Sequence, residues 1–353
     1  MIRYPILEAG AVIGVTAPSS GVGEELRELL ELACQRMRSE GYGVVYGATA
    51  WTQDKAKSAP ASVRAAEFNA MMADDSIGLV IPPWGGELLI EIMEQVDFGG
   101  ITPKWIVGYS DISVLLLAVT LRTGIATAHG TNFVDLRGPE TDPTTAMWEK
   151  VLSTASGGSV VQHSSQQYQL EWGAEPSPHV FTLTEPTSWK TVGNKNVTMQ
   201  GRLLGGCIDV IRHLIGTPYG DVRHFRQHYI GNEPILWYLE NCELQVADLR
   251  RSLVQMKLAG WFEHCSGLMF GRSAANRPME NYTVEDVYQE LAEELQLPVV
   301  YDIDCGHLPP QITLINGAFA EVQVEVGSKA GENKALHEGE GKEIGLIRQY
   351  FRS

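Results

Sequence analysis

Short apolar segments alternate with segments of helical periodicity through the first half of the chain, and this alternation restricts the fold more than any other feature. The apolar segments are AVIGVTAPSS, YGVVYG, SIGLVIPPWGGE and KWIVGYSD. The last of them leads into ISVLLLAVTLRTG, a helical stretch that is apolar on nearly every side. A helix of that kind is buried against a parallel sheet. The pattern predicts an α/β fold with a doubly wound parallel sheet in its N-terminal part.

The alternation fades between residues 138 and 197 and returns afterwards. The intervening stretch is rich in Pro, Ser, Gln and Thr and carries Trp172 and Trp189. The final apolar segments, INGAFAEVQVEVG and IGLIRQYF, have the pattern of an antiparallel hairpin. Because 353 residues exceed one ordinary core, we predict three parts. They are an N-terminal α/β domain over 1–150, a linker with a Trp-bearing loop over 151–197, and a mixed α+β C-terminal domain over 198–353.

Net charge and cysteine spacing exclude several classes of binding partner. Asp and Glu number 43 against 27 Lys and Arg, a net charge of −16, which repels nucleic acid polymers and anionic membranes. The five cysteines are widely spread without a C-x-x-C spacing, so neither a disulfide framework nor a zinc site is indicated. No apolar stretch reaches the length of a membrane span. We therefore expect a cytoplasmic protein without a nucleic acid, membrane or metal partner.

Three polar side chains stand where apolar strands end. In IVGYSDIS, Ser110 lies between a strand and a buried helix, where a hydroxyl is exposed above the sheet, although Ser110 or Asp111 could equally cap the helix. Glu240 ends the strand in PILWYLENCE, where a solvated carboxylate is the simpler interpretation. His307 sits in the Gly- and Pro-defined turn of DIDCGHLPP, although a lone histidine is more often structural. Each signal is weak alone.

Taken together, the three residues supply a nucleophile, an orienting acid and a base in the chain order Ser110, Glu240, His307. Such chemistry needs an imidazole to take the serine proton and a carboxylate to hold the imidazole in one tautomer. The strand ends therefore indicate a serine hydrolase.

The segment PPWGGE suggests where an oxyanion would be held. Gly85 and Gly86 allow a close backbone approach, and the N–H of Asp111 lies next to the candidate nucleophile. An ordinary tight turn or a phosphate-binding loop would have the same pair of glycines. We predict Gly85, Gly86 and Asp111 as the oxyanion hole and keep both alternatives open.

Several segments in this order resemble the serine LD-carboxypeptidases and their relatives, the microcin C self-immunity (MccF-like) proteins. They are VTAPSS, PPWGGE, GYSDIS, GRLLGGCIDVIRHLIGTP, ILWYLEN, LMFGR and DIDCGHLPPQITLINGA, which together span almost the whole chain. The resemblance implies Ser110 as nucleophile, His307 as general base and Glu240 as its partner. It also implies a flavodoxin-like N-terminal domain, a homodimer and no cofactor.

The resemblance leaves two substrate classes. The immunity branch cuts the amide between an aspartyl or peptidyl group and a nucleotide moiety, whereas LD-carboxypeptidases cut before the terminal D-amino acid of murein tetrapeptides. Chain length and the Trp-bearing loop favour the immunity branch. We expect Trp189 to stack on the nucleobase, and the alternative is that it only covers the domain junction.

Two other functional classes are considered. Asp302, Asp304 and His307 could be ligands of a metallohydrolase, but no second cluster completes a metal coordination shell. A two-lobed binding protein would explain two α/β halves. It would not explain why Ser110, Glu240 and His307 all lie at strand ends.

Overall fold

The alternation in the first half of the sequence forms five short strands connected by helices. The computed structural model describes residues 1–172, 180–326 and 344–352. Its first elements are β1 (Val12–Val15), α1 (Arg27–Ser39), β2 (Gly43–Tyr46), α2 (Ala61–Ala73), β3 (Ile77–Ile81), β4 (Trp105–Gly108), α3 (Ser113–Thr123), β5 (Thr127–His129) and α4 (Met147–Leu152). The predicted helix LLIEIMEQV is instead a 3₁₀ helix over Leu89–Gln95, and it still buries Leu89, Ile92 and Met93.

The second half contains most of the strands. In chain order they and their helices are β6 (Ser159–His163), β7 (Gln167–Tyr168), β8 (Glu185–Pro186), β9 (Lys190–Thr191), β10 (Val197–Cys207), α5 (Ile208–Ile211), α6 (Val222–Phe225), β11 (Ile235–Glu240), α7 (Val246–Leu258), β12 (Cys265–Gly271), α8 (Val284–Leu295), β13 (Val299–Ile303), β14 (Leu314–Asn316), β15 (Phe319–Glu325) and β16 (Ile344–Tyr350). The last two strands pair antiparallel, as the sequence predicts.

The first sheet has the strand order β14-β5-β4-β3-β1-β2. Strands β1 to β5 are parallel, and their order is that of flavodoxin-like sheets, while β14 adds an antiparallel edge. The apolar segment before Thr123 forms α3, in which every residue from Ser113 to Leu121 is buried. Helix α3 packs between its own sheet and β10 of the second sheet. The predicted α/β fold is confirmed.

The second sheet is mixed and has the order β6-β16-β15-β10-β11-β12-β13-β9. Strands β10 to β13 are parallel, as expected for segments that alternate with helices, and the flanking strands are antiparallel. The predicted linker supplies both edge strands, β6 and β9. β9, with only two residues, is too short to show periodicity in the sequence. The three domain boundaries stay a prediction, and residues 173–179, 327–343 and 353 within them lie outside the described residues.

Two expectations concern the membrane and the cysteines. No helix in the described ranges is long and apolar enough to cross a bilayer. All five cysteines are free thiols, and three of them, Cys34, Cys207 and Cys305, are buried. The absence of a disulfide framework agrees with the sequence prediction.

Candidate active site

Ser110 lies in a sharp turn between β4 and α3. Its φ is +65°, in the left-handed region that a residue with a side chain rarely adopts. A 3₁₀ turn over Ser110–Ile112 then leads into α3. Neither N-terminus has a side-chain cap, so the helix-capping alternative for Ser110 and Asp111 is wrong. The strained turn holds the Ser110 hydroxyl above the carboxyl end of β4.

His307 connects Ser110 to the second sheet. Its Nε2 lies 3.0 Å from Oγ of Ser110, and its Nδ1 lies 2.8 Å from Oε2 of Glu240. Glu240 is the last residue of β11, and His307 follows β13 in the same parallel sheet. Because parallel strands end at one edge, two residues far apart in sequence meet there. Of the three side chains predicted from strand ends, Ser110 and Glu240 are thus each within hydrogen-bond distance of His307.

The Glu240–His307 pair is buried and electrostatically coupled. Burial raises the pKa of Glu240, which is 1% exposed, but the His307 imidazole, His129 and the Cys207 thiol together outweigh burial and the pKa is lowered. Burial lowers the pKa of His307, but the Glu240 carboxylate and the Cys242 side chain together outweigh burial and the pKa lies well above 6.5. A carboxylate placed this way fixes the imidazole by Nδ1 and stabilises it when protonated. The arrangement can accept a proton from Ser110 through Nε2.

Gly85 packs directly against the turn that carries Ser110, and Gly86 packs against Ser19 and Ser20. A Cβ on Gly85 would lie 2.5 Å from Cβ of Ser110 and 3.2 Å from the backbone N of Asp111. The carbonyl of Gly85 accepts the N–H of Ser20 at 3.2 Å. In a trans peptide the N–H of Gly86 therefore points away from Ser20. Gly85 thus lies beside both Ser110 and the Asp111 backbone, and the assignment of Gly85, Gly86 and Asp111 as an oxyanion hole stays a prediction.

The Asp111 side chain connects neighbouring loops to the turn that carries Ser110. Its Oδ2 accepts the Ser19 hydroxyl at 2.5 Å and the Leu89 N–H at 2.8 Å. Burial raises the pKa of this carboxyl, although these two donors act in the opposite direction. Asp111 thereby ties the loops after β1 and β3 to the turn after β4.

Replacing Gly85 by alanine is expected to lower kcat by about 10²-fold, because the new Cβ displaces Ser110 and sub-ångström placement controls the rate. Gly99→Ala is a matched control, since a Cβ there meets only Asp97 Oδ1 at 3.5 Å. Steady-state kinetics of both variants measure the effect. Equal kcat values would show that the approach of Gly85 to Ser110 does not matter.

A cleft of ≈ 420 Å³ opens beside Ser110 and His307. Its walls come from the loops after β1, β3, β4 and β5. The described residues that line it include Glu25 but no Lys or Arg. They are Ser20, Gly21, Gly23, Glu25, Leu26, Gln53, Trp84, Gly85, Gly86, Tyr109, Ser110, Asn132 and His307.

The expectation for Trp189 is wrong. Stacking on a base needs an exposed ring, but this ring is 1% exposed and packs in the core of the second sheet. Its Nε1 donates to Oδ2 of the buried Asp304 at 2.8 Å. Loop position alone could not distinguish the two tryptophans. Trp189 directly precedes β9, a strand of only two residues that pairs with β13 and so places the ring in the core.

Trp172 is the loop tryptophan that reaches the site. Its ring is 49% exposed, and its Nε1 donates to the backbone carbonyl of His307 at 2.8 Å. The Phe181 ring packs edge-on against it, with centroids 5.9 Å apart. The sequence shows Trp172 as a loop aromatic but contains no signal that would place it beside His307.

The alternative metal ligands do not converge. Asp302 pairs with Lys190 at 2.7 Å, whereas Asp304 forms a buried ion pair with Arg272 at 2.5 Å. His307 faces Ser110 and Glu240 instead. Among the described residues, no three His, Cys, Asp or Glu side chains form a group that could hold a metal ion.

Comparison with known families gives two matches along the chain. Residues 13–130 match the LD-carboxypeptidase N-terminal domain, and residues 200–322 match the LD-carboxypeptidase C-terminal domain. Among curated proteins, the chain is 23% identical over 330 residues to the microcin C7 self-immunity protein MccF of Escherichia coli, covering 88% of this chain and 91% of that protein. It is 24% identical over 335 residues to the "Probable murein peptide carboxypeptidase" of Bacillus subtilis, covering 93% and 91%.

Solved structures show the same fold. MccF in complex with aspartyl sulfamoyl adenosine superposes with a TM-score of 0.77 at 20% identity, covering 99% of each chain. An MccF-like protein from Streptococcus pneumoniae in complex with AMP gives a TM-score of 0.71 at 21% identity, covering 88% of this chain and 95% of that one. The two domain matches together span more than half of the chain. The chain is therefore a serine peptidase that belongs to the LD-carboxypeptidase family.

Proposed function

We propose that Ser110, His307 and Glu240 are the catalytic triad of an amide hydrolase. The observation that carries this proposal is the position of the imidazole, 3.0 Å from Oγ of Ser110 and 2.8 Å from Oε2 of Glu240. Two nitrogen atoms of one ring thus face a hydroxyl and a carboxylate, as general-base activation of a serine requires.

The reaction divides into acylation and deacylation. Ser110 Oγ attacks the scissile carbonyl while Nε2 of His307 takes its proton, and the N–H groups of Gly86 and Asp111 receive the negative oxygen. His307 then protonates the leaving amine, which departs and leaves an acyl-Ser110 ester. Water deprotonated by His307 hydrolyses this ester and regenerates the hydroxyl. Gly85 contributes by letting its backbone approach Ser110.

The proposed substrate is an aspartyl or peptidyl group joined by an amide to a nucleotide moiety, as in microcin C-type compounds. The MccF relatives and their complexes with aspartyl sulfamoyl adenosine and AMP support this class. The exposed Trp172 beside His307 supplies a ring on which a base can stack. The murein tetrapeptide remains the second candidate because of the Bacillus subtilis relative. The proposed enzyme is a cytoplasmic homodimer, and each chain has domains over 1–150 and 198–353 joined by a linker over 151–197.

Turnover of two substrates tests this choice. We would compare release of the amine product from a hydrolysable aspartyl-nucleotide amide and from a murein tetrapeptide. A kcat/KM that is higher for the nucleotide substrate supports the immunity-type activity. A higher value for the tetrapeptide assigns the enzyme to cell-wall peptide turnover instead.

Trp172→Ala is expected to raise KM for the nucleotide substrate by between about 5- and 150-fold, since stacking on one base contributes about 1–3 kcal/mol. Trp172→Phe is the matched control, because it keeps an aromatic face and loses only the Nε1 donor. We expect the Phe variant to stay close to the parent. An unchanged KM in Trp172→Ala would remove this residue from the substrate site.

The pH profile of the free enzyme should reflect the coupled pair. Because Glu240 and Cys242 hold the pKa of His307 well above 6.5, the imidazole is protonated and inactive as a base at lower pH. We expect kcat/KM to rise with pH through a limb that lies above pH 6.5. A limb at or below that value, measured with a substrate that does not titrate, would contradict the coupling.

A further inference from the structure

Two buried polar atoms lack partners beside the Glu240–His307 pair. Oε1 of Glu240 and Nε2 of His129 have no hydrogen-bond partner among the described residues. Their residues are 1% and 0% exposed, respectively. Buried polar atoms are nearly always satisfied by protein or by an ordered water, so these two atoms, whose residues interact electrostatically, require an explanation.

His129 lies directly behind the pair. It ends β5 opposite Gly108 of β4, two residues before Ser110. Its ring packs edge-on against Tyr109, with centroids 6.4 Å apart, and Tyr109 in turn packs edge-on against His307 at 5.3 Å. Electrostatic interactions link His129 to both Glu240 and His307. The side chain therefore belongs to the immediate surroundings of the carboxylate.

The hydrogen-bonding pattern assigns the protonation state of His129. Burial lowers the pKa of the imidazole to about 4, so the ring is neutral at neutral pH and carries one N–H. Its Nδ1 faces Sγ of Cys305 at 3.7 Å. Burial raises the pKa of that thiol well above its usual value, so the thiol keeps its hydrogen and can donate to Nδ1. In that tautomer the ring proton is on Nε2, a donor without an acceptor.

Glu240 supplies the complementary group. Its Oε2 is occupied by His307, and its Oε1 is an acceptor without a donor. The Cys207 thiol interacts with this carboxylate as well as with Oδ2 of Asp209, which lies 3.4 Å from its Sγ. The unsatisfied N–H of His129 and the unsatisfied Oε1 of Glu240 are therefore a complementary donor and acceptor.

We propose that His129 is a positioning residue, whose Nε2–H donates to Oε1 of Glu240 through one buried water. The bond fixes the rotation of the carboxylate so that Oε2 stays aligned with Nδ1 of His307. Because His129 does not itself line the cleft, it acts on the reaction through Glu240. This inference rests on the triad proposed above.

Two variants separate hydrogen bonding from packing. His129→Phe keeps a ring without a donor, and His129→Gln keeps an N–H near the position of Nε2. We expect His129→Phe to lower kcat by about 10- to 100-fold with little change in KM, as for the loss of a hydrogen bond to a charged group. The acid limb should move to higher pH, because the carboxylate without this donor interacts more strongly with protonated His307. His129→Gln should recover most of the rate and the parental limb.

A spectroscopic measurement on the parent protein covers the case in which His129→Phe does not fold. In ¹⁵N-histidine-labelled enzyme, the His129 signals, assigned by their absence in His129→Gln, should show a protonated Nε2 and an unprotonated Nδ1. A protonated Nδ1 would overturn the proposal, as would a His129→Phe enzyme with the parental kcat and limb. If His129→Phe and His129→Gln lowered kcat equally and left the acid limb of the pH profile unchanged, His129 would have only a packing role and the proposal would be wrong. The tautomer is measured without any catalytic activity, so this result can be distinguished from a failure of the proposed triad.

Discussion

Ser110→Ala is expected to reduce kcat for amide hydrolysis by at least about 10⁴-fold, because removing the nucleophile of a serine triad eliminates the covalent route. Oγ of Ser110 is the only hydroxyl within hydrogen-bond distance of Nε2 of His307 in the described part of the chain. The substitution removes one atom from a turn whose strain comes from the backbone, so folding should be unaffected. Residual activity would then come from backbone donors and binding alone.

Initial rates and thermal melting of the purified variants measure this effect. Ser153→Ala is the matched control, because Ser153 is exposed and donates only to carbonyls of its own helix. EDTA should leave the parental rate unchanged. A Ser110→Ala enzyme that turns over at the parental rate, or a parent that loses activity with EDTA, would refute the serine mechanism.

Glu240→Gln is expected to reduce kcat by about 10³- to 10⁴-fold, since the analogous loss of charge behind a catalytic histidine costs about 10⁴. The amide has nearly the same shape as the carboxylate but cannot stabilise a protonated imidazole. Because the carboxylate is the largest of the interactions that raise the pKa of His307, the acid limb of kcat/KM should also move to lower pH. The two effects together identify Glu240 as the partner of the base.

Glu243→Gln provides the comparison. Glu243 is exposed three residues further along the chain, so its substitution removes an equal charge outside the triad. We expect the Glu243→Gln enzyme to keep the parental kcat and limb within experimental error. A Glu240→Gln enzyme that behaved like Glu243→Gln would show that the 2.8 Å contact to His307 has no catalytic consequence.

The sequence was sufficient to predict the fold, because burial against a parallel sheet leaves a readable pattern. The all-apolar stretch that forms α3 is the clearest case, since a helix enclosed between two sheets needs apolar residues on every side. The strands of the region between 151 and 197 could not be predicted. Strands such as β9 are too short to show periodicity and are held by pairing with β13, which lies far away in sequence.

The candidate site was predictable to the extent that strand ends define it. Ser110, Glu240 and His307 each follow an apolar strand, and parallel topology brings such ends together. Trp172 could not be distinguished from Trp189 in advance, because the difference between them depends on tertiary contacts to His307 and Asp304.

Covalent labelling tests the central claim, an activated Ser110, most directly. The parent and the His307→Ala variant would be treated with an organophosphonyl fluoride, digested, and mapped by mass spectrometry. We expect a single phosphonyl adduct on Ser110 in the parent and almost none in His307→Ala, because the imidazole activates the hydroxyl. An adduct on another residue, or equal labelling of Ser110 in both proteins, would contradict it.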